Sequence, residues 1–226
     1  MFHAHLCKGY GDFYLYLRRT SCCAEWYNKA IVFYQQSGIF SEEILDIQRN
    51  IIWSYIHQSD ITAALSAADQ LDVWLQEAPE GSKRQGSMLH LKARLEYELG
   101  HYSKAIQYDT KALEIFKALN LDMDCGSAYY VLGQCHSKNT ETFDLGIVQL
   151  KKCLALWKKC RLEFSINIID IHRMIADAYF DNNRYQDALL WYQKCLNLLN
   201  NHTFAIYFST LKSRILLQIA ECTTKQ

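Results

Sequence analysis

The sequence predicts an all-α fold, a solenoid of five helical hairpins followed by one closing helix. Only 1 of its 226 residues is proline, a residue that interrupts helices. Apolar residues recur at intervals of three and four positions, which is the spacing of one face of a helix. Small residues also recur in register at intervals of about 41 positions along the chain. Together these patterns indicate stacked pairs of antiparallel helices, each packed on the next pair.

The repeat is carried by small side chains at positions where the two helices of a pair approach closely, and we call these positions slots. The first-helix slot holds Gly11, Ile52, Ala93, Gly133 and Ala176. The second-helix slot holds Cys23, Ala64, Ala105, Gly146 and Ala188. A later slot in the second helix holds Ala30, Leu71, Ala112, Cys153 and Cys195. We expect a larger residue to plug the turn of each hairpin, namely Thr20, Ile61, Tyr102, Phe143 and Tyr185.

The register predicts one domain over residues 1–226. Its five repeats are expected at residues 3–37, 44–78, 86–119, 125–160 and 167–200, with Pro79 in a loop. A sixth first-helix slot falls near Leu217, but its second helix would lie beyond residue 226. We therefore interpret residues 203–222 as a closing helix that covers the last apolar face. The alternative is that the array is simply cut there.

Composition and motifs exclude several classes of protein. Lys plus Arg and Asp plus Glu both total 24, whereas nucleic-acid binders carry a basic excess. No apolar run is long enough to span a membrane and no secretory signal is present, so we expect a cytoplasmic protein, with the nucleus left open. The 9 cysteines form no C-x-x-C pair and are expected to be reduced. Because no catalytic or phosphate-binding motif occurs, we expect no enzyme activity, cofactor or metal site.

The third and fifth repeats carry the strongest resemblance to a known family. Gly100, Tyr102, Ala105 and Ala112 resemble the tetratricopeptide repeat (TPR), and so do Tyr179, Tyr185, Ala188 and Cys195. The resemblance extends over about residues 3–200 and implies a right-handed solenoid. A repeat of about 41 residues exceeds the usual TPR period of about 34. This length is similar to that of the extended repeats of kinesin light chains and cell-polarity adaptors.

The resemblance to TPR arrays also implies a binding surface, because their first helices line a concave groove. We expect the side chains that flank each first-helix slot to face that groove. Arginines there are suited to forked hydrogen bonds with carboxylates, and Trp and Tyr supply rigid apolar area. The alternative is an ordinary polar helix face. The candidate groove residues are Lys8, Arg49, Trp53, His57, His90, Arg94, Tyr97, Tyr130, Gln134 and Arg173.

The fold and the groove favour a protein–protein interaction scaffold or adaptor, which binds a partner peptide within a larger complex. We expect the peptide to carry acidic residues beside apolar ones. The alternative is a peptide-sensing regulatory protein, or the regulatory arm of a larger enzyme or motor assembly. The aromatic first repeat, with Trp26, Tyr27, Phe33 and Tyr34, is a second candidate for docking or self-association. Alternatively, these rings pack against the second repeat.

Overall fold

The structure, a computed structural model, describes residues 2–17, 19–37, 42–58, 60–160, 166–200 and 209–225. Within these residues the chain forms eleven α-helices and no strand, which confirms the predicted all-α class. None of the described helices has the length and hydropathy that crossing a membrane requires. Residues 203–208 of the predicted closing helix lie outside the described part. The helices are α1 (Phe2–Tyr16), α2 (Thr20–Gln36), α3 (Glu42–His57), α4 (Ile61–Glu77), α5 (Lys83–Glu98), α6 (Tyr102–Ala118), α7 (Asp122–Ser137), α8 (Phe143–Lys159), α9 (Ile166–Asp181), α10 (Tyr185–Asn200) and α11 (Ser209–Thr224).

The chain divides into two compact units, residues 1–101 with α1 to α5 and residues 102–226 with α6 to α11. In the first unit, α1 packs on α2 and α3 on α4, and α2 also packs on α3. In the second unit, α7 packs on α8 and α9 on α10, while α6, α8 and α10 each pack on the helix that follows them. Each unit therefore contains stacked helical hairpins. A single domain over residues 1–226 stays a prediction.

The slots lie inside these units, as the close-packing argument requires. The side chains of Cys23, Ala64, Ala105 and Ala188 have no exposed surface. Gly146 shows why the slot residue must be small. A β-carbon at Gly146 would lie 2.6 Å from the backbone nitrogen of Ser137 and 2.9 Å from the carbonyl oxygen of Gly133. Consequently α7 and α8 can approach this closely only where no side chain stands between them.

Burial of the predicted plug residue differs among the four hairpins for which that side chain is described. Ile61 and Tyr102 are 40% and 37% exposed, whereas Phe143 is buried. The Tyr179 ring of the following first helix covers Phe143, with 5.5 Å between the ring centroids. The burial of Phe143 therefore goes with an aromatic neighbour in the next repeat. The residues that match Tyr179 in the repeats after Ile61 and Tyr102 are polar, Glu96 and His136.

The helix boundaries follow the local sequence. Gly100 follows the end of α5 and Asn183 follows the end of α9, with φ angles of 79° and 59°. Glycine and asparagine are the residues that adopt this left-handed conformation most readily. At the start of α4, the Asp60 carboxylate accepts a hydrogen bond from the backbone nitrogen of Ala63 at 3.0 Å. These turns fix where the chain reverses and hence which helix faces stack.

Candidate functional site

The candidate groove residues lie on the first helices of the hairpins, α1, α3, α5, α7 and α9. Within the first unit α3 contacts α5, and within the second unit α7 contacts α9. The first helices α3 and α5 therefore share a surface, and so do α7 and α9. The side chain of His57 lies outside the described part, so nine of the ten candidates have a described environment.

A hydrogen-bonded network joins three helices at the start of the first unit. The Tyr27 hydroxyl of α2 donates to Asp12 Oδ1 of α1 at 2.6 Å, and Asn50 Nδ2 of α3 donates to the same hydroxyl at 3.1 Å. Burial raises the pKa of the Tyr27 hydroxyl, and the hydrogen bond to Asp12 raises it further. Lys8 Nζ lies 3.2 Å from the second oxygen of Asp12. Lys8 is thus already engaged by a carboxylate, which reduces the charge it offers to a ligand.

Trp53 of α3 and Arg94 of α5 lie against each other in the first unit. The Arg94 guanidinium carbon is 4.8 Å from the centroid of the Trp53 ring, which is cation–π geometry. Arg94 Nε also lies 3.8 Å from Glu98 Oε1, so part of its charge is compensated. Two candidates that are 41 residues apart in the sequence therefore form one contact on the surface of adjacent first helices.

The other described candidates of the first unit differ in exposure. Arg49 is about half-exposed, and its guanidinium lies 3.1 Å from Asp46 Oδ1, one turn earlier in α3. His90 and Tyr97 are half-buried on α5. Because the Arg49–Asp46 pair is open to solvent, its attraction is weak and Arg49 remains available to another carboxylate.

Arg173 of the second unit is held between two acids of its own helix. Its Nη1 atom lies 2.7 Å from Asp177 Oδ2, and its Nη2 atom lies 3.4 Å from Asp170 Oδ1. Burial lowers the pKa of the Arg173 guanidinium, but the two carboxylates raise it by more, so the pKa of Arg173 is raised overall. Arg173 is therefore a fixed and permanently charged group.

The two candidates on α7 contribute less surface than their register suggests. The Tyr130 ring is half-buried and stacks on Trp157 of α8, with 5.8 Å between the ring centroids. Gln134 is only 8% exposed. Since little of Gln134 can touch a ligand, we leave it out of the proposed binding surface.

A second tyrosine network joins α9, α10 and α11. The Tyr192 hydroxyl of α10 donates to Asp177 Oδ1 of α9 at 2.6 Å and lies 3.5 Å from Gln218 Oε1 of α11. Tyr192 is buried, and this burial raises the pKa of its hydroxyl. The hydrogen bond to Asp177 raises the pKa further. Asp177 thus bridges Tyr192 and Arg173.

A cavity of about 350 Å³ is lined by residues of α9, α10 and α11 and by Lys138, which directly follows α7. The cationic side chains of Lys138, Arg173 and Arg214 and the acidic side chains of Asp177 and Asp181 line it. Lys138 Nζ lies 4.0 Å from Asp181 Oδ2, whereas Arg214 forms no ion pair with any described residue. The cavity therefore combines a guanidinium that forms no ion pair with a lining that is partly polar and partly apolar. Its other lining residues are Phe180, Tyr192, Ile215, Leu217 and Gln218.

Sequence reasoning misses Arg214 and Gln218 as candidates, because it treats this segment only as a closing helix. The register nevertheless contains them. Arg214 stands three residues before the sixth first-helix slot, the position that Arg173 holds in the fifth repeat. Gln218 follows that slot directly, as Asp177 does in the fifth repeat. Extending the groove register into α11 would have identified both residues.

Comparison with known proteins supports the family resemblance. Residues 170–202 match the family model of the tetratricopeptide repeat. No match is found among curated proteins. The matched segment includes Arg173, Asp177 and Tyr192, so the second tyrosine network lies within a recognisable repeat.

Several solved structures share the fold. BtubC (BKLC) from P. vanneervenii is similar with a TM-score of 0.72 and 14% identity, over 92% of this chain and 81% of its own. A Rap protein complexed with Competence and Sporulation Factor gives a TM-score of 0.71 and 16% identity, and the match covers 97% of this chain and 62% of the Rap chain. A structure of nearly identical TPR-like repeats of kinesin light chain type, from Podosopora anserina, gives a TM-score of 0.61 and 13% identity. This match covers 86% of this chain and 93% of the other.

The fold is therefore that of the TPR-like helical solenoids, and the chain carries a tetratricopeptide repeat at residues 170–202. The resemblance that the sequence predicts is confirmed. The repeat length of about 41 residues stays a prediction, because the matched segment spans a single repeat. At these sequence identities the structural likeness shows the fold alone.

Proposed function

We propose that this chain is a protein–protein interaction scaffold, which binds a peptide segment of its partner on the surface of its first helices. The observation that carries the proposal is the cavity beside α11. The cavity places the guanidinium of Arg214 next to the apolar side chains of Phe180 and Leu217. Stacked helical hairpins suit this role, because they present extended surfaces to long partner segments. A Rap protein of similar fold is itself complexed with Competence and Sporulation Factor, which supports a binding role for this architecture.

The cavity is suited to one acidic residue and an apolar neighbour. Its volume of about 350 Å³ is at the lower end of the range of ligand pockets, about 300–1,000 Å³. A guanidinium binds a carboxylate through two parallel hydrogen bonds. Leu217 is 60% exposed, so an apolar side chain placed on it would remove apolar surface from water. A peptide with Asp or Glu beside an apolar residue therefore fits this chemistry.

The Trp53–Arg94 pair offers a second contact of the same kind in the first unit. The ring supplies apolar area and the guanidinium supplies hydrogen-bond donors for a carboxylate. Glu98 compensates part of the charge of Arg94, whereas Arg214 forms no ion pair with a described residue. We therefore expect Arg214 to contribute more to binding than Arg94 does.

The test is the selection of peptides from a random-sequence display library with this chain as bait. The tightest peptide is then measured by fluorescence anisotropy against the parent and two variants. Arg214→Glu replaces the guanidinium with a carboxylate, and we expect it to weaken binding by about 10-fold or more. Lys212→Glu is the matched control, because it makes the same charge change at an exposed position of α11 that does not line the cavity.

We expect the selected peptides to be enriched in Asp or Glu beside apolar residues. The parent, Arg214→Glu and Lys212→Glu should have equal helicity by circular dichroism, since both substituted side chains are exposed. Equal affinity of the two variants for the peptide would show that the cavity is not the binding site. A library that yields no binding peptide would contradict the proposed function itself.

A further inference from the structure

Lysines recur at one register position on the second helices of the second unit. Lys111 of α6, Lys152 of α8 and Lys194 of α10 each directly precede the small residue of the later slot. All three side chains are exposed. Because the second helices α6, α8 and α10 follow one another, this shared register forms a row of positive charge. With three further exposed lysines on α6 and α8, they make up what we call the lysine face: Lys111, Lys117, Lys151, Lys152, Lys158 and Lys194.

The ring of Trp191 draws together lysines from two helices of this face. The Nζ atoms of Lys194 on α10 and Lys151 on α8 lie 4.3 Å and 5.8 Å from its centroid. The His172 ring lies beside Trp191, with 5.4 Å between the ring centroids. Burial lowers the pKa of His172, and the charges of Lys158 and Lys194 lower it further. Two lysines therefore lie over the Trp191 ring, and a third, Lys158, acts on the adjacent His172.

Tyr129 of α7 has the same relation to the adjacent pair of second helices. The Nζ atoms of Lys152 on α8 and Lys117 on α6 lie 5.4 Å and 5.5 Å from its ring centroid. The two rings thus link lysines across α6, α8 and α10. Cation–π contact restrains these long side chains, which lowers the entropy that a partner must remove on binding.

The lysine face carries more positive than negative charge. Glu114 stands three residues from both Lys111 and Lys117 on α6, but it forms no ion pair with a described residue. None of its six lysines forms an ion pair with a described residue. The adjacent Lys159, by contrast, pairs with Asp122. Asp144 of α8 and Asp187 of α10 both pair with Arg184, so their charges are already used. Since the chain as a whole has a formal net charge of 0, this excess is a local feature.

We propose that the lysine face is a second interaction surface, which takes an acidic segment of a protein partner. Like charges on one surface repel, and carboxylates of a partner would relieve this repulsion. The face lies on second helices, whereas the cavity beside α11 lies against the first helices α7 and α9. The two surfaces therefore bind independently, and one can be removed without the other.

The surroundings of the lysines favour a protein segment over a nucleic acid. Val148 and Leu190 stand one helical turn before Lys152 and Lys194, and they are 47% and 49% exposed. An acidic segment with interspersed apolar residues would contact both the aliphatic and the cationic groups. The rings beneath the lysines are already engaged in cation–π contacts, which disfavours the base stacking on which single-stranded nucleic acid depends.

The experiment uses a fluorescein-labelled peptide of alternating glutamate and leucine pairs, measured by fluorescence anisotropy. We expect the parent to bind it with an affinity that falls as salt rises, because exposed charges are screened. The variant Lys152→Glu/Lys194→Glu should lose about 10-fold or more in affinity. The matched control Lys29→Glu/Lys212→Glu makes the same total charge change at exposed positions outside the lysine face and outside the cavity, and it should bind like the parent.

The opposite pattern would overturn the proposal. Loss of affinity in Arg214→Glu alone would place this peptide in the cavity, and equal loss in the lysine-face variant and the matched control would show non-specific attraction. Lys152→Gln/Lys194→Gln removes the charge without adding repulsion, and it should also weaken binding if it keeps the helicity of the parent. Absence of binding by the parent would also refute the proposal. Tighter binding of phosphatidylserine vesicles or single-stranded DNA than of the peptide would refute the class of partner.

Discussion

The two tyrosine networks, one near each end of the chain, share one arrangement. Tyr27 follows Asp12 by 15 residues, and Tyr192 follows Asp177 by 15 residues. In both networks the hydroxyl donates to the carboxylate at 2.6 Å and reaches an amide side chain of the next first helix. A recurring contact that joins three successive helices fixes how one hairpin stacks on the next.

The surroundings of the two networks differ. A lysine, Lys8, pairs with Asp12, whereas the forked Arg173 pairs with Asp177. Only the second network borders the cavity of about 350 Å³, where α11 adds Arg214. The tyrosine network itself is therefore structural. The ability to bind a ligand comes from the cationic and apolar side chains that surround the second tyrosine network.

Gly11→Ala disturbs the first network directly, and we expect it to have the largest effect. A β-carbon at Gly11 would lie 2.3, 2.4 and 2.9 Å from three ring atoms of Tyr27. The ring cannot move away without breaking the hydrogen bonds to Asp12 and Asn50. Overpacking costs about 3 kcal/mol and the helix propensity of alanine returns about 1, so the free energy of unfolding should fall by about 2 kcal/mol in urea denaturation.

Gly9→Ala is the matched control for this substitution. It lies two residues earlier in α1, and nothing lies within 4 Å of an added β-carbon there. We expect the free energy of unfolding to rise by about 0.5–1 kcal/mol, because alanine is the better helix former. If Gly11→Ala stabilised the protein as much as Gly9→Ala, Tyr27 would not occupy the space beside Gly11.

Replacing each tyrosine with phenylalanine separates the structural role of the networks from binding. Tyr27→Phe and Tyr192→Phe each remove a hydrogen bond to a carboxylate, and each should lower the free energy of unfolding by about 1.5 kcal/mol. Tyr192→Phe should also weaken binding of the selected peptide, because the Tyr192 hydroxyl holds Asp177 in place and both residues line the cavity. Tyr27→Phe should leave this affinity unchanged. Anisotropy titrations that show equal losses for both variants would contradict the assigned difference between the two ends.

The smallest expected effect is a dependence of thermal stability on pH, which should be larger in the second unit than in the first. His136 and His172 both lie in the second unit, and burial lowers the pKa of each below the ordinary value of 6.5. As the pH falls through 6.5, the unfolded chain takes up protons before these two residues do, so acid favours unfolding. The thermal midpoint should therefore fall between about pH 7.5 and about pH 5.5.

His172→Gln is the variant that isolates this effect, because it removes one of the two titrating groups. Its thermal midpoint should decrease less between the two pH values than that of the parent. An equal decrease would show that His172 does not contribute. Hydrogen exchange at low pH should also reveal loss of protection in α7 to α10 before α1 to α3.

Much of the fold follows from the sequence, because the distance between helices decides which residue a slot accepts. Gly146 is an example, since backbone atoms of α7 occupy the place of its missing side chain. The site is less predictable. Trp53 and Gln134 both directly follow a first-helix slot, yet Gln134 is 8% exposed and Trp53 is half-buried. The repeat register predicts the side of the helix on which a residue lies. How exposed its side chain is, and which charges lie near it, depend on the neighbouring helices.

Arg214 illustrates the same limit for charge. Its register position matches that of Arg173, but only Arg173 has acids one turn away on its own helix. For the lysine face, by contrast, the sequence repeat itself predicts the row of charges. Its row at Lys111, Lys152 and Lys194 is visible in the repeat, while the rings that gather these lysines appear only in three dimensions.

A partner peptide should bind at the cavity beside α11 and not at the first tyrosine network. Hydrogen–deuterium exchange of the parent, with and without the tightest selected peptide, distinguishes these two locations. We expect the peptide to slow exchange in α9 and α11 and to leave α1 and α2 unchanged. Slower exchange confined to α1 and α2, or to the second helices that carry the lysine face, would contradict binding at the cavity.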